Sequence, residues 1–310
     1  MVKSVDELDK KILGDLGQNC RVSYQELSRR YGISANAIRR RVLNLEESGE
    51  ISGYSLLLSA EMLGVHRILG LLTSDGSRDE IEVMDEIGNH FGVIAAASYS
   101  NGIYALVGEY RTSEELLELT SHLRRIDSIE KTEVHQIIQG SGRPFELSRM
   151  HLRVLKHLID DPKLSIVEIS NKSGLTARRV RRLLNQLEES GAVKFNALLE
   201  LGAATTIPFL ARVTWDERKA NYQEVRDLIT QTCPLSHWET YVSASEPVLY
   251  SLIAVEGLVE VNQVTSTLRK HDKIDSVKAL ISMFHKFYES ITRQTLIDMI
   301  KEAYPDGSEK

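Results

Sequence analysis

The stretch SYQELSRRYGISANAIRRRVLNLEESG, residues 23–49, decides the fold, because the chain contains it twice. Shifted by 142 positions and without a gap, it matches SIVEISNKSGLTARRVRRLLNQLEESG, residues 165–191, at 12 of 27 positions. Self-similarity of this extent identifies a duplicated module. Outside this block the similarity weakens, but RRIDSIE (124–130) and RKHDKID (269–275) still correspond near the end of each half.

Local signals inside the repeated block predict a helix, a tight turn and a second helix. Ser23 stands three residues before Glu26, as in a capping box, and Gly32 is placed to end the first helix. Ser34 is placed to cap the next helix, which is expected to run to about residue 48. Its apolar residues recur at helical spacing and so face inward: Ile38, Val42 and Leu45.

The residues on either side of this pair complete a larger motif. A preceding helix is expected to begin near Asp6 and to bury Ile12, Leu13 and Leu16 on one face. After the block, EISGYSLLL (50–58) alternates around a glycine, which predicts a small β-hairpin wing. Helix, helix, tight turn, basic helix and wing together describe a winged helix-turn-helix (HTH) domain, in which the last helix of the pair enters the major groove.

The outward face of that last helix is basic in both copies. Guanidinium groups bind phosphates through two parallel hydrogen bonds and release counterions. A basic helix is commonly just a solvated surface, but the same cluster recurs at the same place in both copies, which favours DNA binding. Leu183 stands where the first copy has Arg41, so the two helices are not equivalent. The predicted DNA-binding residues are Ser34, Asn36, Ala37, Arg39, Arg40 and Arg41 in the first copy, and Thr176, Arg178, Arg179, Arg181 and Arg182 in the second.

Composition excludes several classes of protein. The 310 residues are 42% hydrophobic and 26% charged, which excludes a disordered chain, a collagen and a coiled-coil rod. The net charge of −6 hides an alternation, because residues 1–55 carry +1, 56–142 carry −8, 143–200 carry +4 and 201–310 carry −3. Each half therefore has a basic first part and an acidic second part.

Cysteine usage and the N-terminus indicate a cytoplasmic protein. Cys20 and Cys233 lie too far apart for a metal-knuckle spacing and form no disulfide framework, so we expect both to be buried in a reducing compartment. The N-terminus is charged from the start, and no apolar run approaches the ~18 residues that a membrane span needs.

Residues 8–58 closely resemble the DNA-binding domain of the Lrp/AsnC, or feast/famine, transcriptional regulators of the archaeal type. The resemblance rests on the Leu-Asp-x-x-Ile-Leu opening, the turn around Gly32, the Arg-Arg-x-Val-x-x-Leu-Glu-x-x-Gly run and the segment 51–54. It implies that a βαββαβ (RAM-type) sensing domain of ferredoxin-like fold follows. Ordinary members carry one such pair of domains and this chain carries two, so it resembles a tandem member whose two DNA-binding domains are free to diverge.

The sequence after Gly64 fits that implied sensing domain. We expect a strand at 67–72, a helix at 78–90, two strands within 93–110 joined at Asn101-Gly102, a helix at 113–125 and a strand at 129–138. In the second half the corresponding segments are 208–213, 222–232, 238–255, 259–271 and 277–285. A last segment, 290–304, has apolar residues at helical spacing and predicts a C-terminal helix with no assigned docking partner.

The expected fold class is α+β, with two winged HTH domains alternating with two βαββαβ domains, plus the C-terminal helix. The expected boundaries are HTH domain 1 at 1–60, sensing domain 1 at 64–139, a linker at 140–145, HTH domain 2 at 146–201, sensing domain 2 at 205–288 and the tail at 289–310. The expected partner is double-stranded DNA. By resemblance we also expect a small-molecule effector of the amino-acid class and a homodimer formed through the sensing domains, with pairing of the two halves inside one chain as the alternative.

Other kinds of site are weaker interpretations, and we expect no cofactor and no metal. The Gly140-Ser141-Gly142 segment lacks the context of a phosphate loop. His90, His122 and His135 belong to the sensing domain, but they do not have metal-ligand spacing. Paired relatives of this family include siroheme decarboxylases, whose active site uses a His-Asn-Tyr-x-Arg run. The corresponding segments, 98–102 and 243–247, lack its histidine and arginine, so we expect a regulator, with a decarboxylase-like or metabolite-binding protein as the alternative.

Overall fold

The computed structural model describes residues 5–138, 145–203 and 206–305, and the expected linker at 140–145 lies outside them except for Phe145. The first half contains α1 (Glu7–Gln18), α2 (Tyr24–Tyr31), α3 (Ala35–Glu47), β1 (Ile51–Leu58), β2 (His66–Ser74), α4 (Glu80–Gly88), β3 (Val93–Tyr99), β4 (Ile103–Tyr110), α5 (Ser113–Arg124) and β5 (Ile129–Gln136). The second half contains α6 (Arg149–Leu158), α7 (Ile166–Ser173), α8 (Ala177–Ser190), β6 (Val193–Leu199), β7 (Ile207–Trp215), α9 (Tyr222–Thr232), β8 (His237–Val242), β9 (Val248–Val255), α10 (Leu258–Arg269), β10 (Ile274–Phe287) and α11 (Ile291–Ala303). The expected α+β fold class is confirmed.

These elements form two compact units, each made from both halves of the chain. The first unit contains residues 1–64, 140–204 and 292–310, and the second contains residues 65–139 and 205–291. The two HTH domains therefore share one unit, and the two βαββαβ domains share the other.

In the first unit, β1 pairs antiparallel with β6, so the two HTH domains are joined by a two-stranded sheet. Leu56 lies opposite Phe195 in this pairing, and both side chains are fully buried. The predicted β-hairpin wing is wrong: residues 51–58 form one continuous strand whose partner is β6. Its alternation is real, but a strand finds its partner through tertiary packing, and here that partner is the equivalent strand of the second copy.

The C-terminal helix α11 packs on the second HTH domain. The hydroxyl group of Tyr304 donates a hydrogen bond to the Arg149 carbonyl at 2.7 Å, and the Tyr304 ring lies 5.2 Å from the Arg149 guanidinium. The Arg293 guanidinium also donates to the Ile159 carbonyl at 3.2 Å. The predicted helix is therefore present, and its partner is helix α6 of its own chain.

In the second unit, eight strands form one sheet in the order β5-β2-β4-β3-β10-β7-β9-β8. Each group of four has the same internal order, as the duplication requires, and the long strand β10 joins the two groups by pairing with β3. Ile137 directly follows β5 and Ser243 directly follows β8, the two outer strands, and an isolated bridge connects these two residues. Helices α4 and α5 cover a core on one group, and α9 and α10 cover a core on the other.

The turn between β3 and β4 follows the sequence expectation. Asn101 and Gly102 both have positive φ angles, 65° and 67°, as a type I′ hairpin turn requires. Cys20 and Cys233 are both buried, and burial raises the pKa of each thiol to about 11. Across the described residues, no helix is long and apolar enough to cross a bilayer.

Candidate nucleic-acid interface

The same local contacts build the turn between the last two helices of each HTH domain. Gly32 and Gly174 end α2 and α7 in the left-handed region, with φ angles of 69° and 65° that favour glycine. Ser28 donates a hydrogen bond to the Ile33 carbonyl at 2.5 Å, and Ser170, its equivalent in the second copy, donates to the Leu175 carbonyl at 2.5 Å. These contacts set the direction in which α3 and α8 leave the turn.

Both of these helices are capped as the sequence predicts. The Ser34 hydroxyl accepts a hydrogen bond from the Ala37 amide at 3.2 Å, and the Thr176 hydroxyl accepts one from the Arg179 amide at 3.3 Å. The inner faces of the helices are buried, as expected, and pack against the rest of each domain: Ile38, Val42 and Leu45 on α3, and Val180, Leu184 and Leu187 on α8.

Most of the predicted DNA-binding residues lie together on the outer faces of α3 and α8. Ser34 and Thr176 are exposed at the caps, and Ala37 is half-buried. The other side chains except Arg41 are exposed and make no hydrogen bond or ion pair within the described part of the chain: Asn36, Arg39 and Arg40 on α3, and Arg178, Arg179, Arg181 and Arg182 on α8.

Arg41 differs from these arginines because its charge is already paired. Its guanidinium donates to a carboxylate oxygen of Asp6 and to one of Asp9, both at 2.7 Å. Asp6 and Asp9 form the capping box of α1, so the contact ties α3 to the start of the domain. Burial acts to raise the pKa of Asp6, but hydrogen bonds from the Asp9 amide and from Arg41 outweigh it and lower that pKa.

The second HTH domain makes the corresponding contact without charges. In the second copy, Ser148, His151 and Leu183 stand at the positions equivalent to Asp6, Asp9 and Arg41. Ser148 and His151 form the capping box of α6, and Leu183 is buried. His151 also contacts the amide oxygen of Gln186 at 3.3 Å, and burial lowers its pKa.

Two basic residues that sequence reasoning missed hold the two HTH domains together. Arg21 and Lys163 occupy equivalent positions of the duplication but make different contacts. The Arg21 guanidinium donates to the carbonyls of Pro162 and Leu164, at 2.5 and 3.0 Å. The repeat itself was the available signal, because a module that pairs with its own copy uses the same surface patch on both copies.

Lys163 is partly buried, like Arg21. Its ammonium group donates to the Tyr54 hydroxyl at 2.9 Å and to Glu46 at 3.3 Å, and the Tyr54 hydroxyl donates to Glu46. Burial acts to lower the pKa of Lys163, but the hydrogen bond to Tyr54 and the surrounding negative groups raise it overall. Lys163 therefore keeps its charge and links the segment between α6 and α7 of the second domain to α3 and β1 of the first.

The second unit holds a group of polar residues that we call the buried polar cluster. Its members His135, Ser243 and Tyr250 are buried, and Arg212 is half-buried. The Arg212 guanidinium donates to the Tyr250 hydroxyl at 3.2 Å, and that hydroxyl lies 3.0 Å from His135 Nε2. Nδ1 of His135 lies 3.2 Å from the Ser243 hydroxyl. Burial lowers the pKa of His135, so the cluster favours a neutral imidazole between a donor and an acceptor.

The cluster is present at only one of two equivalent places. Strand pairing places Arg212 opposite Tyr250 on β7 and β9, and places Leu71 opposite Ala105 on the corresponding strands β2 and β4. His135 on β5 lies opposite Leu69 of β2, and Leu280 on β10 lies opposite Leu210 of β7. Leu69 and Leu210 are equivalent positions, so His135 corresponds to Leu280. Sequence reasoning identified His135 but not its partners, because they belong to the other half of the chain.

The remaining histidines noted in the sequence do not form a metal site. The rings of His90 and His122 lie 5.3 Å apart, and burial is the main cause that lowers the pKa of His90. No group of three potential metal ligands occurs within residues 5–138, 145–203 and 206–305.

Comparison with known families and proteins agrees with this architecture. Residues 5–46 match the AsnC-type helix-turn-helix domain, and residues 147–194 match a winged helix-turn-helix DNA-binding domain. An uncharacterised HTH-type transcriptional regulator of Pyrococcus abyssi is 30% identical over 153 residues, which cover 46% of this chain and 98% of that protein. The HTH-type transcriptional regulator LrpA of Pyrococcus horikoshii is 30% identical over 132 residues, covering 41% of this chain and 92% of that protein.

Similarity to solved structures extends over nearly the whole chain. The crystal structure of the siroheme decarboxylase NirDL matches with a TM-score of 0.58 at 15% identity, over 96% of this chain and 100% of that chain. At this identity the likeness shows the fold alone. Two helix-turn-helix matches, and relatives that span nearly their full length within about half of this sequence, together show that the chain belongs to the Lrp/AsnC family of HTH-type transcriptional regulators and carries the family's unit in tandem.

Proposed function

We propose that this protein is a sequence-specific DNA-binding regulator that reads one duplex with both recognition helices, α3 and α8, of a single chain. One observation carries the proposal. Six exposed arginines, none with an ion pair inside the described residues, lie on the two helices. Arg39 and Arg40 of α3 correspond to Arg181 and Arg182 of α8, and α8 carries two more, Arg178 and Arg179. Arginines left unpaired in the protein are available to phosphates and base edges.

The proposed roles follow from position along each helix. Residues near the N-terminus of a recognition helix reach bases, so Ser34, Asn36 and Ala37 face the groove in one half-site and Thr176 and Arg178 in the other. The later arginines hold phosphates. Arg41 is assigned a positioning role, because Asp6 and Asp9 already neutralise it.

The pairing of β1 with β6 gives these helices a defined relation within one unit. Two recognition helices held in this way read half-sites on one face of the duplex, about 10 base pairs or a multiple of that distance apart. Footprints at unrelated spacing would argue against reading by both helices.

A salt titration tests the proposal. Binding to fragments from upstream of the protein's own coding region is measured for the wild type, Arg39→Ala/Arg40→Ala and Arg181→Ala/Arg182→Ala. Both double variants are expected to weaken binding and to reduce the slope of log K against log salt by about 2, since each loses two phosphate contacts. Arg226→Ala/Lys270→Ala removes the same charge from exposed positions in the second unit and controls for net charge.

The two possible outcomes separate clearly. Selective binding by the wild type that both double variants lose and the control keeps supports the regulator. If no fragment binds better than random DNA and the variants behave like the control, DNA reading by these helices is ruled out.

We infer a second role for the buried polar cluster, as the binding site of a small-molecule effector. The counterparts of Arg212 and His135 are Leu71 and Leu280, apolar side chains that lie in the same core as Tyr250, so the fold does not need polar groups at these positions. Burying such groups costs stability, which favours a function for those that remain. The terminal nitrogens of Arg212 make no hydrogen bond within the described residues and suit a carboxylate, and the family resemblance indicates the amino-acid class.

Thermal shift with each of the common amino acids tests this role. One or more are expected to raise the unfolding temperature of the wild type, in proportion to RT ln(1 + [L]/Kd). Arg212→Leu, which installs the residue found at the equivalent position 71, is expected to abolish the shift. Stabilisation of the wild type and the variant to the same degree would place the ligand elsewhere.

The regulator is inferred not to be an enzyme, and the NirDL-like fold sets the alternative to be tested. Segments 98–102 and 243–247 lack the histidine and arginine of the decarboxylase run, although His135 contacts Ser243 of the second segment from another strand. Anaerobic incubation with siroheme, followed by mass spectrometry, is expected to show unchanged substrate. Loss of about 44 Da per decarboxylation, the mass of CO₂, would establish the enzymatic alternative in place of this inference.

A further inference from the structure

The two recognition helices differ at their second residue. Asn36 follows Ala35, the first residue of α3, and Arg178 follows Ala177, the first residue of α8. The two positions are equivalent in the duplication. Both side chains are exposed, and neither makes a hydrogen bond within the described residues.

This position lies on the face of each helix that points away from its domain. Asn36 and Arg40 are four residues apart and share a face, on the side opposite the buried Ile38 and Val42. Arg178 and Arg182 occupy the corresponding face of α8, opposite Val180 and Leu184. The cap hydroxyl at the start of each helix already accepts a hydrogen bond from a nearby backbone amide. The side chain of the second residue is therefore free to reach outward.

Two exposed positions further along the helices are the same in both copies. Arg39 corresponds to Arg181, and Arg40 corresponds to Arg182, so the later part of both helices presents the same cations. Ala37 corresponds to Arg179, but Ala37 is half-buried and has no polar atom to read a base. Asn36 is therefore the residue through which the first domain can offer a base different hydrogen bonds from those of the second domain.

Asparagine and arginine read different bases in the major groove. An asparagine amide pairs with N6 and N7 of adenine through one donor and one acceptor. An arginine guanidinium has donors only and pairs with O6 and N7 of guanine. Each such pair discriminates against a wrong base by about 5- to 150-fold.

We propose that Asn36 and Arg178 make the operator asymmetric, with an adenine in the half-site of the first HTH domain and a guanine at the symmetry-related position in the half-site of the second. This inference rests on the proposed function. Since both domains belong to one chain and are joined through β1 and β6, the difference also gives the protein a single orientation on its operator.

Selection from a random duplex library tests the inference. The full chain selects its preferred duplexes, and the binding constants are then measured for the four combinations of A and G at the two symmetry-related positions. The A/G duplex is expected to bind the wild type about 5- to 150-fold more tightly than the A/A or G/G duplex. Asn36→Arg is expected to shift the preference to G/G, and Arg178→Asn to shift it to A/A.

Gln25→Arg is the matched control. Gln25 is exposed on α2, so this variant adds the same charge to the first domain without changing α3. It is expected to raise affinity for all four duplexes by one common factor. Circular dichroism and the unfolding temperature establish that every variant is folded.

The outcomes distinguish this inference from the proposed function. Selective binding by the wild type to a symmetric operator, or swaps that leave the base preference unchanged, would overturn the asymmetry while the regulator stands. If the folded wild type shows no sequence preference in the library, both fail together.

Discussion

Arg41 illustrates at the residue scale how one side chain is diverted from a predicted role. It has the chemistry of a phosphate contact, yet Asp6 and Asp9 hold its guanidinium at 2.7 Å each. The second domain fills the same three positions with Ser148, His151 and Leu183. An ionic contact and a neutral one therefore serve the same purpose, which is to fix the recognition helix against the first helix of its domain.

Replacing Arg41 with leucine is expected to destabilise the first unit by about 1 kcal/mol at pH 7, because two carboxylates, one of them largely buried, lose their partner. The folded-state pKa of Asp6 lies below its ordinary value, so the stabilisation is present above about pH 4 and is lost as the pH falls through the folded value. Urea denaturation at pH 7 and pH 3 measures both effects.

The matched control is the triple variant Asp6→Ser/Asp9→His/Arg41→Leu, which copies the second domain. It is expected to recover most of the stability that the single variant loses at neutral pH. A triple variant less stable than Arg41→Leu would show that the two domains do not use this contact in the same way.

The pairing of β1 with β6 acts at the scale of elements. Each strand has an alternating pattern but needs a neighbouring strand for its backbone hydrogen bonds. The equivalent strand of the other copy is that neighbour. The contacts around Arg21 and Lys163 extend this pairing into the helices. The stability of the two HTH domains is therefore coupled through the two strands.

Leu56→Ala on β1 is expected to cost about 2–4 kcal/mol, since Leu56 is fully buried opposite Phe195 and its loss leaves a cavity. Amide hydrogen exchange is expected to accelerate in α6–α8 of the second domain as well as in the first. Lys194→Ala, at an exposed position of the paired strand β6, is the control. Faster exchange confined to the first domain would contradict the coupling.

At the scale of the whole molecule, the duplication is used in the same way in both units. The HTH domains pair with each other through β1 and β6, and the βαββαβ domains join through β3 and β10. The association of sensing domains that the sequence suggested for a homodimer thus occurs inside one chain. Association of two chains, with four recognition helices, stays a prediction.

One chain is therefore expected to occupy both half-sites of an operator. Light scattering is measured with an excess of a duplex that contains one pair of half-sites. Equal numbers of chains and duplexes are expected in the complex, whether or not two chains also associate with each other. A duplex with a single half-site provides the comparison, because it engages only one helix and should bind more weakly. Two chains per paired-site duplex would exclude reading by both helices of one chain.

The local sequence specified most individual elements. Ser34 and Thr176 cap the recognition helices, Gly32 ends α2, and Asn101-Gly102 turns between two strands, because each depends on contacts within a few residues. The internal repeat, together with the family resemblance, predicted the alternating order of domains. Charge and periodicity singled out the outer faces of α3 and α8, whose DNA-contacting residues stay predictions.

Contacts between distant residues required the folded chain. The partner of β1, the pairing of Arg41 with two carboxylates, and the meeting of His135 with Tyr250 all join positions that are far apart in the sequence. No local pattern encodes which strand or charge will be the neighbour, because pairing depends on how whole domains bury their surfaces. That packing makes the two copies of one module into an asymmetric pair within a single chain.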